Sequence, residues 1–178
     1  MDKVIHHKVK LHCSQQKSFE MFTKNDNLQK WLAENADVEP YVGGKYELFW
    51  DVNNKKINST LGCKITAIEH NNLLCFEWKG AAQFAGFMNT VDPLTHVTVI
   101  FIPDSNDEST QIHLIHTGWR SDENWESARR WFDSAWENAL DYFLVLSFSR
   151  LNEVNIRKVF TICSILMLFI VYLKSGCI

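Results

Sequence analysis

One histidine of the sequence lies where an imidazole can do chemistry in apolar surroundings. Residues 109–117 alternate in the way that predicts a β-strand, and His116 falls on the same face as Ile112 and Leu114. A histidine on an apolar face can orient a ligand or donate a proton near neutral pH, and the alternative is a core histidine satisfied by one hydrogen bond. His113 falls on the opposite face, where we expect it to be exposed to solvent.

No established catalytic or metal-binding motif accompanies this histidine. The GxSxG, HExxH, P-loop and dinucleotide-binding glycine patterns are all absent from the sequence. A nucleophile at Cys63 or Cys75 would need a histidine partner that sequence alone does not place. The acidic residues within 104–108 lack the spacing of a calcium-binding loop. We therefore predict neither a metal ion nor a cofactor.

The composition is that of a globular protein, with one large domain or one domain and additional chain. Of the 178 residues, 46% are hydrophobic and 22% are charged, which excludes a disordered chain. The net charge of −3, without a lysine- or arginine-rich face, argues against nucleic acid as a partner. Five irregularly spaced cysteines, without a CxxC pair, favour reduced thiols. The N-terminal residues show no signal peptide, so we expect a cytoplasmic location.

Residues 121–146 predict one long helix. Ser121 supplies a capping hydroxyl, acidic residues follow it in the first turn, and neither proline nor glycine interrupts the segment. Helical spacing places an apolar stripe on one side, with small residues predicted along its centre and aromatic rings at its rims. The stripe consists of Ala128, Phe132, Ala135, Ala139 and Leu146, flanked by Trp125, Trp136 and Phe143.

The other elements predict a curved antiparallel sheet that the long helix covers. Apolar alternation and turn residues predict strands at 3–12, 45–50, 60–69, 73–79, 95–102 and 109–117. Two short helices follow the first strand, the first capped by Ser14 and the second by Asn25 or Asp26. This order predicts an α+β fold with one antiparallel sheet of about six or seven strands.

The loop at residues 80–94 is unusual for its apolar content. It is rich in small residues, yet it carries Phe84, Phe87 and Met88. An apolar loop of this length is either tucked into the fold or acts as a lid, and the sequence leaves both open.

The order and spacing of several stretches resemble a known protein family. These stretches are residues 31–32 (WL), 42–46 (VGGKY), 62–69 (GCKITAIE), 74–78 (LCFEW), 96–101 (HVTVIF) and 110–118, with His116 near the end of the last. Across residues 3–146 the chain resembles the START-like superfamily (SRPBCC) and, within it, the AHSA-type branch, named for the activator of the ATPase of the 90-kDa heat-shock protein. The resemblance implies a helix-grip fold, in which the sheet wraps around the long C-terminal helix.

The resemblance also implies an elongated cavity between sheet and helix, where superfamily members often hold a lipid, a polyketide or another hydrophobic molecule. It implies no catalytic residues common to the branch. The expected pocket residues are Phe76, Trp78, Leu114, His116, Trp119, Phe132 and Trp136. We therefore predict a non-enzymatic domain that binds a hydrophobic small molecule or lipid. Two alternatives stay open: a co-chaperone-like module for the 90-kDa heat-shock protein, and a cyclase or hydratase that uses His116.

The composition changes near residue 150, so we expect a helix-grip domain at 1–150 and a separate apolar tail at 151–178. From Val159 to Leu173 the chain carries no charge. As a helix this stretch would span about 22 Å, less than a hydrocarbon core of about 30 Å. Three interpretations compete: a short membrane anchor, a helix that packs on the domain or on a partner, and an atypical chain end such as a shifted reading frame.

Overall fold

The computed structural model describes residues 3–149 of the protein. In chain order the elements are β1 (Ile5–Leu11), α1 (Gln15–Thr23), α2 (Asn25–Trp31), β2 (Asn35–Val38), β3 (Tyr46–Phe49), β4 (Ile65–Glu69), β5 (Leu73–Trp78), α3 (Ala85–Met88), β6 (Thr95–Pro103), β7 (Thr110–Thr117) and α4 (Glu123–Ser149). The chain divides into two units, Met1–Leu144 and Val145–Ile178, and of the second only the end of α4 is described.

The apolar tail predicted at 151–178 lies outside the described residues. Its proposed membrane or partner contact, and the domain boundary at residue 150, therefore stay predictions. Within residues 3–149, no helix combines the length and the apolar character needed to cross a membrane.

The strands form a five-stranded antiparallel sheet in the order β1-β7-β6-β5-β4 and a two-stranded sheet of β2 and β3. Backbone hydrogen bonds connect the two sheets: the Tyr46 N–H donates to the Cys63 carbonyl over 2.9 Å, and the Ile65 N–H donates to the Gly44 carbonyl over 2.8 Å. The predicted α+β class, with an antiparallel sheet and a long C-terminal helix, is confirmed. Because β7 pairs with both β1 and β6, side chains on its inward face have neighbours on either side.

One face of the sheet is buried, and the alternation of the sequence predicts which one. Buried and partly exposed residues alternate along β6 and β7. The inward residues of β7 are Thr110, Ile112, Leu114 and His116, as predicted. α4 packs on this face, since the ring centroid of Trp136 lies 4.9 Å from that of Trp78 on β5.

Two helix starts differ from the predictions. Asp122, rather than Ser121, caps α4, because the Asp122 Oδ1 accepts the N–H of Trp125 over 3.1 Å. α2 has no side-chain cap: Asn25 is its first residue, and the Asn25 Oδ1 accepts the N–H of Val38 over 2.8 Å. The Asn25 side chain, which the sequence predicts as a cap of α2, therefore bonds to β2 instead.

The apolar stripe of α4 follows a different line from the predicted one. Its buried residues are Trp125, Ala128, Phe132, Trp136, Leu140 and Phe143. Ala135 and Ala139 are only half-buried. The prediction of small residues at the centre and rings at the rims is therefore wrong. Two adjacent apolar lines run along this helix, one through Ala135 and one through Trp136. The line through Trp136 faces the sheet because an aromatic ring buries more apolar area than a methyl group.

The strands on the β2–β4 side also differ from the predictions. The strand predicted at 60–69 begins only at Ile65, because the chain turns at Gly62, where φ is +85°. β2 was not predicted, since it is four residues long and pairs with β3, for example Ala36 opposite Leu48. Its strand conformation depends on that pairing rather than on local sequence.

Candidate functional site

The imidazole of His116 is completely buried on the inward face of β7, between Ile5 of β1 and Val97 of β6. The Trp136 Nε1–H donates a hydrogen bond to the His116 Nδ1 over 3.2 Å. Nδ1 is therefore the unprotonated nitrogen, and the neutral ring carries its proton on Nε2. That Nε2 is buried and has no hydrogen-bond partner among the described residues.

A glycine brings Trp119 back over this histidine. Gly118 has a φ of +86°, a left-handed conformation that favours glycine, and an added Cβ would come within 3.1 Å of the Thr95 Cα. The turn places the ring centroid of Trp119 at 4.4 Å from that of His116. The Trp119 Nε1–H donates to the His116 carbonyl over 3.0 Å, so this indole donor is already bonded.

We define the His116 cluster as Trp78, His116, Trp119, Phe132 and Trp136. The ring centroids of Phe132, Trp78 and Trp136 lie 5.7, 6.3 and 6.4 Å from that of His116. β5, β7 and α4 each supply at least one member, so the cluster joins the sheet to the long helix. All five residues were predicted from the sequence as pocket residues, and the structure brings them together. Their role in binding a ligand stays a prediction.

Burial keeps the His116 imidazole uncharged at neutral pH. Removal from water, with a smaller contribution from repulsion by a protonated His96, lowers its pKa from 6.5 to about 3. The ring can donate a hydrogen bond through Nε2, but at neutral pH it is not an imidazolium that could act as an acid. The alternative of a cyclase or hydratase with His116 as proton donor is therefore disfavoured.

The described residues also offer no metal centre. Within this part of the chain, no three side chains of His, Cys, Asp or Glu are grouped closely enough to hold an ion. Cys63, one of the two cysteines weighed as a nucleophile, is buried, and burial raises its pKa to about 12. A thiol with so high a pKa holds almost no thiolate at neutral pH, which disfavours it as a nucleophile.

Phe76 and Leu114, the other two predicted pocket residues, lie beside the cluster. Leu114 is fully buried two residues before His116 on β7. Phe76 lies 5.9 Å from Trp78 but stacks on Tyr46, with 3.7 Å between the ring centroids. Tyr46 was missed because the alternation of β3 alone did not tell which of its faces is inward. Its buried hydroxyl donates to a backbone carbonyl of α1 over 3.1 Å.

The loop at 80–94 packs on α4 beside the His116 cluster. The ring centroid of Phe84 lies 6.3 Å from that of Phe132 and 5.7 Å from that of Trp131. Met88, at the end of α3, is fully buried. The described structure holds this loop in a packed position, and its role as a lid stays a prediction. Phe84 was not predicted as a site residue, although its apolar ring in a small-residue loop was the signal for it.

A family model described as "Activator of Hsp90 ATPase homolog 1-like protein" matches residues 12–145. The match begins directly after β1 and extends through most of α4, so it includes every member of the His116 cluster. A comparison with curated proteins gives no match.

Three solved structures with similar folds come from different organisms. A protein of Mesorhizobium loti is 20% identical, with a TM-score of 0.65, and the alignment covers 83% of this chain and 98% of that one. An HSP90 activator from Plasmodium falciparum is 18% identical over 83% and 94% of the chains, with a TM-score of 0.60. The Aha1 dimer from Colwellia psychrerythraea is 16% identical over 80% and 93%, with a TM-score of 0.57. At these identities the likeness concerns the fold alone, and the predicted helix-grip fold is confirmed.

Proposed function

The chain belongs to the family of Activator of Hsp90 ATPase homolog 1-like proteins, the AHSA-type branch of the START-like superfamily, and on that basis we propose that it binds an apolar small molecule at the His116 cluster. The observation that carries the proposal is the buried His116 Nε2–H without a partner among the described residues. Buried donors are almost always paired, and an unpaired one marks a position where a bound molecule can supply the acceptor.

The energetics of this donor support the proposal. Leaving a buried donor unpaired costs about 1–3 kcal/mol, and an acceptor on a bound molecule would remove that cost. The rings around His116 offer a ligand apolar and aromatic surface, as small-molecule sites usually do, with one polar group to fix its orientation. The ligand would lie between the sheet and α4, and the Phe84 side of the loop at 80–94 would have to adjust around it.

Contact quenching of tryptophan fluorescence tests this location. A bromoalkane quenches only the indoles that it touches, so it is expected to quench part of the emission of the full chain in a saturable manner. Trp136→Phe should reduce the amount of emission that the probe quenches, because Trp136 is in the cluster. Trp131→Phe is the matched control on the same helix, since Trp131 is 39% exposed and outside the cluster, and it should leave the amount of quenched emission unchanged.

Two results of this experiment would count against the proposal. The first is the absence of saturable quenching, together with native mass spectra of gently purified protein that show no retained small molecule. The second is quenching that Trp131→Phe reduces and Trp136→Phe does not, because the probe would then bind on the outer surface of α4.

The second candidate function is contact with the 90-kDa heat-shock protein, and the family description is the observation that favours it. If this function is correct, the full chain co-precipitates with the chaperone and changes its rate of ATP hydrolysis. A chain that neither associates with the chaperone nor alters that rate would remove this candidate. The ligand proposal does not depend on the outcome.

A further inference from the structure

We propose that the ligand of the His116 cluster carries an uncharged carbonyl oxygen, of the ketone or ester kind, which accepts the hydrogen bond of the His116 Nε2–H. This inference rests on the proposed function and states which chemical class the site prefers. It makes His116 a specificity-determining residue rather than a catalytic one.

The hydrogen bonds around the ring set the number and the direction of polar contacts. The His116 Nδ1 already accepts from the Trp136 Nε1–H, and the His116 carbonyl already accepts from the Trp119 Nε1–H. The Nε2–H of His116 is thus the one buried side-chain nitrogen of the described residues that still lacks a partner. A ligand can therefore accept a hydrogen bond from the His116 Nε2–H. It cannot donate one to the His116 Nδ1, which is already bonded.

This asymmetry distinguishes carbonyls from other polar groups. A ketone or ester oxygen only accepts hydrogen bonds, so one bond from the Nε2–H leaves no donor of the ligand unpaired. An alcohol or a carboxylic acid would also bring an O–H, which would need an acceptor of its own among the rings. A carbonyl oxygen is consequently the polar group that fits with the fewest unpaired atoms.

The apolar surroundings of the cluster disfavour a charged group. The rings whose centroids lie within 6.4 Å of His116 are all those of Trp or Phe. A carboxylate or phosphate placed there would lose its water among Trp and Phe rings and would find no lysine or arginine among these neighbours. The apolar body of the ligand would contact the same aromatic rings that enclose the imidazole.

A matched set of probes tests this preference on the full chain. Acetylnaphthalene supplies the ketone, isopropylnaphthalene is its hydrocarbon isostere, and naphthoate supplies the negative charge. Calorimetric titration is expected to show the ketone binding about tenfold more tightly than the hydrocarbon, which is the usual worth of one buried hydrogen bond. Naphthoate should bind more weakly than either. In ¹⁵N-labelled protein, the ketone should shift the His116 Nε2–H resonance, and the hydrocarbon should leave the hydrogen bonding of that group unchanged.

Variants separate the hydrogen bond from the packing. His116→Phe keeps a ring in the cluster and should abolish the preference for the ketone over the hydrocarbon. His113→Gln changes a histidine of the same strand on its outer face, and it should retain the preference. The resonance measurement on the unmodified chain decides the question even if His116→Phe does not fold.

The outcomes distinguish this inference from the function on which it rests. Equal affinities for ketone and hydrocarbon, with an unmoved Nε2–H resonance, would overturn the inference and leave apolar ligand binding intact. Naphthoate as the tightest probe would overturn the uncharged class. If none of the three probes binds, the proposed function itself fails, and the inference fails with it.

Discussion

Replacing Trp136 with Ala is expected to lower the free energy of unfolding by about 3–5 kcal/mol, the range for truncating a large buried aromatic residue. The Trp136 side chain is only 3% exposed, and its ring packs against that of Trp78. Its removal leaves a cavity between α4 and the sheet. It also leaves the His116 Nδ1 without its donor, so both nitrogens of a fully buried imidazole would be unpaired.

Urea unfolding of two further variants separates these two losses. Trp136→Phe keeps most of the ring but removes the N–H, so it should cost less than Trp136→Ala, about 1–3 kcal/mol for the unpaired acceptor. Trp131→Ala is the control on the same helix, and its cost should stay near 1 kcal/mol because Trp131 is 39% exposed and its truncation opens no closed cavity. Equal losses for Trp131→Ala and Trp136→Ala would contradict the assignment of Trp136 to the core.

The inward position of His116 could be predicted from the sequence because a strand repeats every two residues. Once Ile112 and Leu114 are placed inward, only one orientation of β7 remains, and His116 follows them. The same reasoning placed Trp78 with the inward residues of β5, and the structure agrees. Where a strand has large apolar residues on both faces, as β3 has at Leu48 and Phe49, the period does not decide.

The rotation of α4 could not be predicted in the same way. A helix repeats every 3.6 residues, so two neighbouring apolar lines, one through Ala135 and one through Trp136, both satisfy the spacing. Only the rings of the facing sheet, including Trp78, select between them. The cap of α4 posed a similar problem, since Ser121 and Asp122 are both good capping residues and stand side by side.

The polar contacts of the site also depend on the folded structure. Trp136 is twenty residues from His116 in the chain, and no local pattern indicates that an indole N–H would reach the Nδ1. That contact determines the tautomer, and the tautomer determines which nitrogen is left to bind a ligand. The sequence therefore predicts the residue types of the site, whereas the direction in which the site donates a hydrogen bond requires the three-dimensional arrangement.

Acidification is expected to destabilise the protein through His116 before its carboxylates contribute. The pKa of His116 lies near 3 in the folded chain, whereas a histidine of the unfolded chain has its ordinary value of 6.5. Between these two values the unfolded chain binds a proton that the folded chain does not. The free energy of unfolding should therefore fall as the pH falls below 6.5, by up to about 1.4 kcal/mol per pH unit, and it should be unaffected by His116 above that value.

Between pH 6.5 and 4.5, the pH dependence of the free energy of unfolding comes mainly from histidines rather than from carboxylates. Carboxylates whose pKa is lowered by hydrogen bonds, such as Glu126 at about 2 and Asp104, lose their contribution only as the pH falls through 4.5 and below. Burial also lowers the pKa of His96 and His113, so both add to the slope in the same direction within this window. A comparison of variants is therefore needed to assign the slope to one histidine.

Urea titrations of His116→Phe and His113→Gln at a series of pH values make that assignment. His116→Phe leaves the Trp136 N–H without its acceptor, a cost that does not change with pH, so the variant should be less stable near neutrality and yet show a shallower decline on acidification. Between pH 6.5 and 4.5, the unmodified chain should therefore lose roughly 2–3 kcal/mol more of its free energy of unfolding than His116→Phe does. His113→Gln should keep most of the decline, because His113 is only partly buried on the outer face. Parallel stability curves for the unmodified chain and His116→Phe would show that His116 takes up its proton as readily in the folded protein as in the unfolded one, which a neutral, solvent-free imidazole cannot do.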